Sequence, residues 1–400
     1  MRVVGIIAEY NPLHNGHIYH LEQARKQSDA EYCVVVMSGN FVQRGEPACT
    51  DKLTRTEWAL QAGADVVLEL PSVYAVSSAE RFALGGVRTL AATGVVTDLA
   101  FGCEDSDINT LYQLCDIIVS EPPAYKRELT EQLRMGKSYP RARFDALRAF
   151  GIPDHMLAAI AKPNNILAVE YLRAIRANKL GISPMPIRRI DSGYHATELT
   201  GEYSSATAIR RALSEGNRDV LSAVPLFVGG PILYDPQFPI TQEDIGSLIL
   251  YALRRMTVHE LAAVPDVAEG LENVIYRAVR STGSLDVFYE NVKSKRYTLA
   301  RCKRIAINAL LGITADHHRE TVESQDGAYL RVLGFNRSAR PLLSMMGKAA
   351  SAPIILRNTD IAKCGPLVQK NLAIDALSTD ILNFALPADL RRDHIAPIIL

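Results

Sequence analysis

An α/β fold built on a doubly wound parallel sheet is predicted by three observations. Apolar, β-branched runs recur at residues 3–8, 31–37 and 66–70. Helical patterns of about 10–15 residues separate them, the rhythm of βαβ units. A turn carrying histidine and glycine follows the first run directly, where such sheets bind ligands.

The elements follow in order. Residues 3–8 (VVGIIA) are apolar without alternation, as a strand covered on both faces requires. Residues 16–26 form the first helix, 31–37 (EYCVVVM) the second strand, and 51–62 the second helix, capped by Asp51 or Thr50. Residues 66–70, 77–90 and 98–101 continue as strand, helix and strand. Right-handed crossovers then give a doubly wound sheet. Residues 108–150 read as helical, 164–178 as a helix entered from Pro163, 185–190 as a strand and 205–213 as a helix. Pro225, Gly229, Gly230, Pro231, Pro236 and Pro239 then crowd together, and this stretch is expected to break regular structure and mark a boundary. The expected domains are residues 1–225 and a mainly helical, mixed α+β unit at 240–400. In the second, 243–255, 271–280, 299–311 and 367–384 are expected as helices, 329–335 and 352–356 as short strands.

Composition excludes several classes. A chain of 400 residues exceeds one compact core. Lys plus Arg equals Asp plus Glu at 44 each, which excludes a polybasic protein but not a local basic patch. No apolar run approaches the ~20 residues of a membrane span, and residues 1–10 lack the pattern of a cleaved leader. Six scattered cysteines show no CxxC and no metal-ligand spacing, so reduced buried thiols and no metal site are expected. These features predict a soluble, cytoplasmic protein.

The most informative residues are His14, Asn15, Gly16 and His17. At this chain's own His and Gly frequencies, chance predicts about 0.01 HxGH matches per 400 residues. The helix start beyond the first strand offers free backbone N–H groups and a positive dipole end, suited to phosphate. Gly16 has no Cβ to obstruct a ligand. Imidazoles three residues apart reach one anionic centre and can hydrogen-bond charge building on phosphorus. Two ordinary surface histidines are the plain alternative.

HxGH in this position resembles the nucleotidylyltransferase superfamily, which attacks the α-phosphate of a nucleoside triphosphate and expels pyrophosphate. A second superfamily element, ISSTxIR-like, has its counterpart in residues 204–210 (SSATAIR). Ser205, Thr207, Ile209 and Arg210 are kept, while Ala206 stands where a second Ser is usual. Residues 5–20 (GIIAEYNPLHNGHIYH), 38–47 (SGNFVQRGEP), 163–167 (PNNIL) and 204–210, with the basic run KRYTLARCKR at 295–304, together resemble the bacterial tRNA(Met) cytidine acetate ligase family. The likeness extends from residue 1 to near the C-terminus. It implies ATP-dependent activation of acetate as acetyl-adenylate, then acetylation of the N4 amine of the wobble cytidine of elongator tRNA(Met). It also implies His14 and His17 as the catalytic pair, in an ATP site of Ile7, Ala8, Glu9, Tyr10, Asn11, Pro12, Leu13, Asn15, Gly16, His20, Gly102, Asn164, Asn165, Arg188, Arg189, Ser205, Thr207 and Arg210.

The chemistry is coherent by itself. Acetate is a poor acyl donor; adenylation converts it to a mixed anhydride with AMP as leaving group. Positioning and electrostatics suffice for the first step. Gly102 reads either as a nucleotide contact or as a strand-end turn. Asn164 and Asn165 open a helix, one as cap and the other toward adenine or ribose. Arg188 and Arg189 neutralise phosphate or face water; Lys52 and Arg55 reach triphosphate or tRNA, or face water. Glu9 and Asn11 lie near the site and, by position alone, are candidates to orient acetate or metal. Mg²⁺ is expected as the ATP counter-ion, with no carboxylate cage of its own.

Between residues 293 and 348 there are eleven Lys/Arg against four acids, a net of +7. Lys293, Lys295, Arg296, Arg301, Lys303 and Arg304 are the densest part, with Tyr297 among them. Such a stretch supplies phosphate contacts and a ring for an unpaired base, or merely a solvated helix face. His317 and His318 are expected in a polar turn. Two rivals share these features: a small-molecule adenylyltransferase of cofactor synthesis, and a non-catalytic tRNA-binding protein.

Overall fold

In the computed structural model, residues 1–104, 108–190, 199–235, 238–324, 326–386, 393 and 396–400 are described. β1 (Val3–Ala8), β2 (Tyr32–Ser38), β3 (Val66–Leu70), β4 (Asp98–Cys103) and β5 (Ser183–Arg188) form a parallel sheet in the order β3-β2-β1-β4-β5. Val3 sits opposite Tyr32, and Ile6 opposite both Val35 and Ala100. Strand order reverses between β1 and β4, so the ligand crevice is expected at their carboxyl ends.

Successive β2 residues point to opposite faces and so feed two cores. Val34 and Val36 pack with Phe82, Val87 and Leu90 of α3 (Ala79–Ala92) and Val169 and Leu172 of α4 (Pro163–Ala177). Val35 and Met37 pack with Leu21 of α1 (Asn15–Ser28), Trp58 of α2 (Lys52–Gln61) and Ile209 of α5 (Ala206–Ser214). The Asp51 side chain accepts from the N–H groups of Leu53 and Thr54 and so caps α2. Residues 108–150 divide into three helices, Ile108–Ser120, Pro123–Arg134 and Tyr139–Ala149.

The stretch from Pro225 to Pro239, expected to break regular structure, is helical over its first part. Residues Leu226–Tyr234 are helical despite Pro231, because Val228 and Ile232 bury against the α1–α2–α5 core. Pro236 lies outside the described residues. The chain also returns to the first sheet: β6 (Leu330–Phe335) pairs antiparallel with β3, and β7 (Ile354–Ile355) and β8 (Ile398–Ile399) lie parallel to β6. What is separate is a helical core. It gathers Ile249 and Leu253, Ile275 and Val279, and Ile305 of α6 (Leu299–Leu310), with Ile374 and Ile381 of α7 (Pro366–Leu382) packed against it. His317 and His318 lie in a helix rather than a turn, because Thr314 caps residues Ala315–Glu323; buried His317 hydrogen-bonds Asn371.

Among the described residues no cysteine forms a disulfide, and five of the six are buried. Among the described residues, no helix is long and apolar enough to cross a membrane.

Candidate active site

A cleft of about 1020 Å³ opens over the carboxyl ends of β1, β4 and β5. Its centre is the start of α1. His14 is the N-cap: its Nδ1 accepts from the Gly16 N–H at 3.1 Å, and His17 Nδ1 accepts from the His14 N–H at 3.3 Å. This reciprocal pair is a capping box built from two imidazoles. The rings stack with centroids 3.8 Å apart. A Cβ on Gly16 would lie 2.9 Å from His14 Cε1, so glycine is required here by the folded-back His14 ring as well as by any ligand.

Because both Nδ1 atoms accept, the neutral rings carry their protons on Nε2. Burial, reinforced by the Arg189 and Arg210 charges, pushes His14 down to about 3. Burial holds His17 well below its usual range, with His14, Arg189 and His20 adding to it. His20, one turn further along α1, is pushed down to about 4 by burial and then by Arg189. The cleft therefore presents neutral N–H donors at neutral pH, and its positive charge comes from arginines.

Arg210, on α5, donates to the Asn11 carbonyl. Ser205 Oγ caps α5 by accepting from the Ala208 N–H at 3.1 Å, and exposed Thr207 lines the cleft beside it. Ile7, Ala8, Glu9, Tyr10, Asn11, His14, Gly16, His17, His20, Gly102, Asn164, Arg188 and Arg189 line the same cleft. Exposed Arg188 ends β5 on the rim, and exposed Arg189 follows it there.

Other expected site residues lie elsewhere. Leu13 is fully buried in the core, and Pro12 is buried outside the cleft lining. Asn15 turns away and donates to the carbonyls of Glu202 and Ser222. Asn165 is buried, donating to the Ala159 carbonyl and accepting from the Glu104 N–H. Neither Asn164 nor Asn165 is the N-cap of α4, which is Lys162. The Glu104 carboxylate instead takes the Asn164 and Asn165 N–H groups and the Asn164 side-chain amide, which places negative charge at a helix N-terminus. Glu9 and Asn11 are also occupied: Glu9 Oε1 accepts from the Gln43 N–H and Asn11 Oδ1 from the Cys49 N–H, both at 2.7 Å. Burial raises Glu9, opposed by that N–H and by Arg210, Arg44 and Arg55.

Lys52 and Arg55 neither face water nor reach the cleft. Lys52 is buried in an ion pair with Glu69 at 2.6 Å and in another with Asp393. Arg55 is fully buried and donates to the carbonyls of Glu9 (2.7 Å), Ser38 (3.0 Å) and Thr50 (3.2 Å). It thereby ties together the ends of β1 and β2.

The basic stretch is drawn into the cleft. Arg296, Arg301 and Arg304 line its mouth, and much of their charge is compensated. Arg296 pairs with Glu269, Arg304 with Asp266 at 3.4 Å, and Lys303 with Glu46 at 2.5 Å. Lys293 and Lys295 are exposed, away from the cleft lining.

Sequence reasoning missed Glu104, although it stands two residues past Gly102 at a strand end. It also missed the buried Arg143–Glu170 pair in the cleft wall. Those two residues sit on different helices 27 positions apart, and no local pattern joins them. Among the described residues, no group of three or more His, Cys, Asp and Glu is arranged to hold a metal ion.

Fold and site together define a nucleotidyl transferase of the HxGH type, and the family model for HIGH Nucleotidyl Transferase matches residues 1–394. The tRNA(Met) cytidine acetate ligase of Acetivibrio thermocellus is 40% identical, over 95% of this chain and 94% of its own. That of Caldanaerobacter subterraneus is also 40% identical, with all of both chains covered. The crystal structure of Thermotoga maritima TmcAL bound with alpha-thio ATP superposes with a TM-score of 0.92 at 34% identity, covering 100% of both chains. The apo form of that protein superposes at 0.94. The chain thus belongs to the tRNA(Met) cytidine acetate ligase family.

Proposed function

We propose that this protein is an ATP-dependent ligase that acetylates the N4 amine of the wobble cytidine of elongator tRNA(Met), using free acetate. The observation that carries the reading is the stacked His14–His17 pair, with both Nε2 protons available beside Arg210. An acetate oxygen attacks the α-phosphorus of ATP; the bond to the bridging oxygen breaks and pyrophosphate leaves, giving acetyl-adenylate. His14 and His17 donate to the charge that builds on the phosphoryl oxygens, and Arg210 and Arg189 supply positive charge. Preorganised donors of this kind act without reorganisation in a water-poor site. The cytidine amine then attacks the acetyl carbonyl, AMP departs, and the amine loses one proton.

Mg²⁺ is a counter-ion to the triphosphate in this reading. The cleft carboxylates of Glu9 and Glu104 are engaged by backbone N–H groups, so the ion's ligands would come mainly from phosphate oxygens and water. A cofactor-type adenylyltransferase accounts less well for the arginines at the cleft mouth. A protein that only binds RNA has no use for neutral imidazole donors at a helix start.

The test is exchange of labelled pyrophosphate into ATP, with and without acetate. Exchange that depends on acetate and not on tRNA is expected. Exchange indifferent to acetate would indicate the cofactor-type enzyme, and none under any condition a binding protein. Acetyl-CoA serving as well as acetate plus ATP would exclude the adenylate route.

A further inference from the structure

The mouth of the cleft holds an arginine fixed as a flat surface. Arg301, on the first turn of α6, lies over the Tyr297 ring at 4.9 Å. Its Nε and Nη2 donate to the Asp266 carbonyl at 3.0 and 2.6 Å, which pins the guanidinium plane. Tyr297 is fixed in turn, its hydroxyl donating to the Ala268 carbonyl at 3.1 Å. The loop supplying both carbonyls is unusual: Asp266 and Glu269 adopt φ of +66° and +60°, in the left-handed region that non-glycine residues rarely occupy. Arg296 and Arg304 hold the same loop through Glu269 and Asp266. Such backbone persists where surrounding contacts over-determine it, often at functional sites. Arg301 lines the cleft and Tyr297, which its guanidinium covers, does not.

We propose that the Arg301 guanidinium, backed by Tyr297, is a stacking platform for one unpaired base of the RNA substrate at the mouth of the nucleotide cleft. Guanidinium planes stack on splayed bases as aromatic rings do, and a plane already immobilised loses little freedom when a base arrives. The base held there would be a loop neighbour of the cytidine that enters the cleft. The proposal rests on the tRNA reading above. It assigns the stacking surface to Arg301, because one face of Tyr297 is already covered.

The test uses anticodon stem-loop RNAs carrying 2-aminopurine at each loop position in turn, titrated with the full-length protein. Its fluorescence falls on stacking. Wild-type protein should quench one position strongly. Arg301→Ala and Tyr297→Leu should lose that quench and weaken RNA binding by about tenfold. Arg301→Lys keeps the charge and a donor for the Asp266 carbonyl, so it guards against loss of folding. It should bind with wild-type salt dependence but without the quench. A quench that survives in Arg301→Ala and Arg301→Lys, or no quench at any position, overturns the proposal. So does a change confined to ATP affinity, which would assign the plane to adenine. Wild-type acetate-dependent exchange, measured separately without RNA, reports on the ligase reading whatever the quench shows.

Discussion

Gly45 lies so close to the backbone of Arg304 that a Cβ there would stand 2.3 Å from the Arg304 nitrogen. Gly45 also has a φ of +75°, so a side chain is opposed twice, by space and by conformation. The contact joins the two sides of the cleft. Gly45 is the tip of a small hairpin pairing Phe41–Val42 with Glu46–Pro47. The hairpin is held to β1 by Gln43 on Glu9 and to α6 by Glu46 on Lys303.

Gly45→Ala should therefore push the hairpin off α6. The backbone term alone is about 1–2 kcal/mol, and the clash with backbone atoms adds to it. A lower melting temperature is expected, with tRNA acetylation reduced more than acetate-driven exchange, because the displaced contact bridges the two halves. Equal loss of both reactions would mean that the hairpin only supports the nucleotide site.

His14→Ala and His17→Ala should each slow adenylate formation on the order of 10²–10³-fold, the usual effect of removing one preorganised donor. Each histidine also accepts a backbone N–H, so Asn variants, which can accept in a cap, separate capping from donation. Exchange rates and filter-binding affinities measured side by side decide the matter. Rates should fall while tRNA affinity hardly moves, since both imidazoles sit at the sheet edge. Full exchange in the double alanine variant would remove these residues from the chemistry.

How far the site was legible depended on where each residue's partner lies in the chain. HxGH and residues 205–210 could be placed at helix starts on one cleft because each segment is contiguous in sequence. Lys52 and Arg55 could not be placed. A charged pair on a first turn looks the same whether it meets water or buried acids, and the deciding partners are remote: Glu69 on β3, and Asp393 beyond the last long helix. Glu69 inside the apolar run 66–70 was the one clue to a buried cation. The return of residues 330–335 to the first sheet was hidden for a similar reason. Their pattern announces a strand but not which edge it joins, and the proline-rich stretch before them read as a boundary. Leu226–Tyr234 is helical because buried Val228 and Ile232 outweigh the propensity of Pro231.

Acid should destabilise the fold through His14 in a defined window. Its folded value is about 3 against an ordinary 6.5, so the unfolded chain binds the extra proton between those limits. The stability this neutral, buried ring confers is whole above about pH 6.5 and is lost as pH falls toward 3. The loss has a limiting slope of about 1.4 kcal/mol per pH unit. Urea unfolding at pH 7, 6 and 5 should show the midpoint falling, and His14→Asn should lessen that fall, the rest being carried by the similarly depressed His17 and His20. A wild-type midpoint unchanged from pH 7 to 5 would mean that the ring is protonated in the folded state.

The salt dependence of RNA binding should separate the two kinds of basic residue in the 293–304 stretch. Arg296, Lys303 and Arg304 already hold carboxylates, so a phosphate must compete with Glu269, Glu46 or Asp266 for each of them. Lys293 and Lys295 are exposed, outside those ion pairs. If they meet the RNA backbone, each releases counter-ions in full. Lys293→Ala and Lys295→Ala should each flatten the plot of log affinity against log salt by roughly 0.7–0.9 and leave the melting temperature unchanged. Lys303→Ala should show the opposite balance: a small change in slope, and a lower melting temperature because Glu46 loses its partner beside the hairpin. Gel shifts over a salt series, paired with thermal melts, give both readouts. Slopes that change for Lys303 and stay constant for the two exposed lysines would place the RNA backbone along the cleft mouth and leave residues 293–295 as a solvated face.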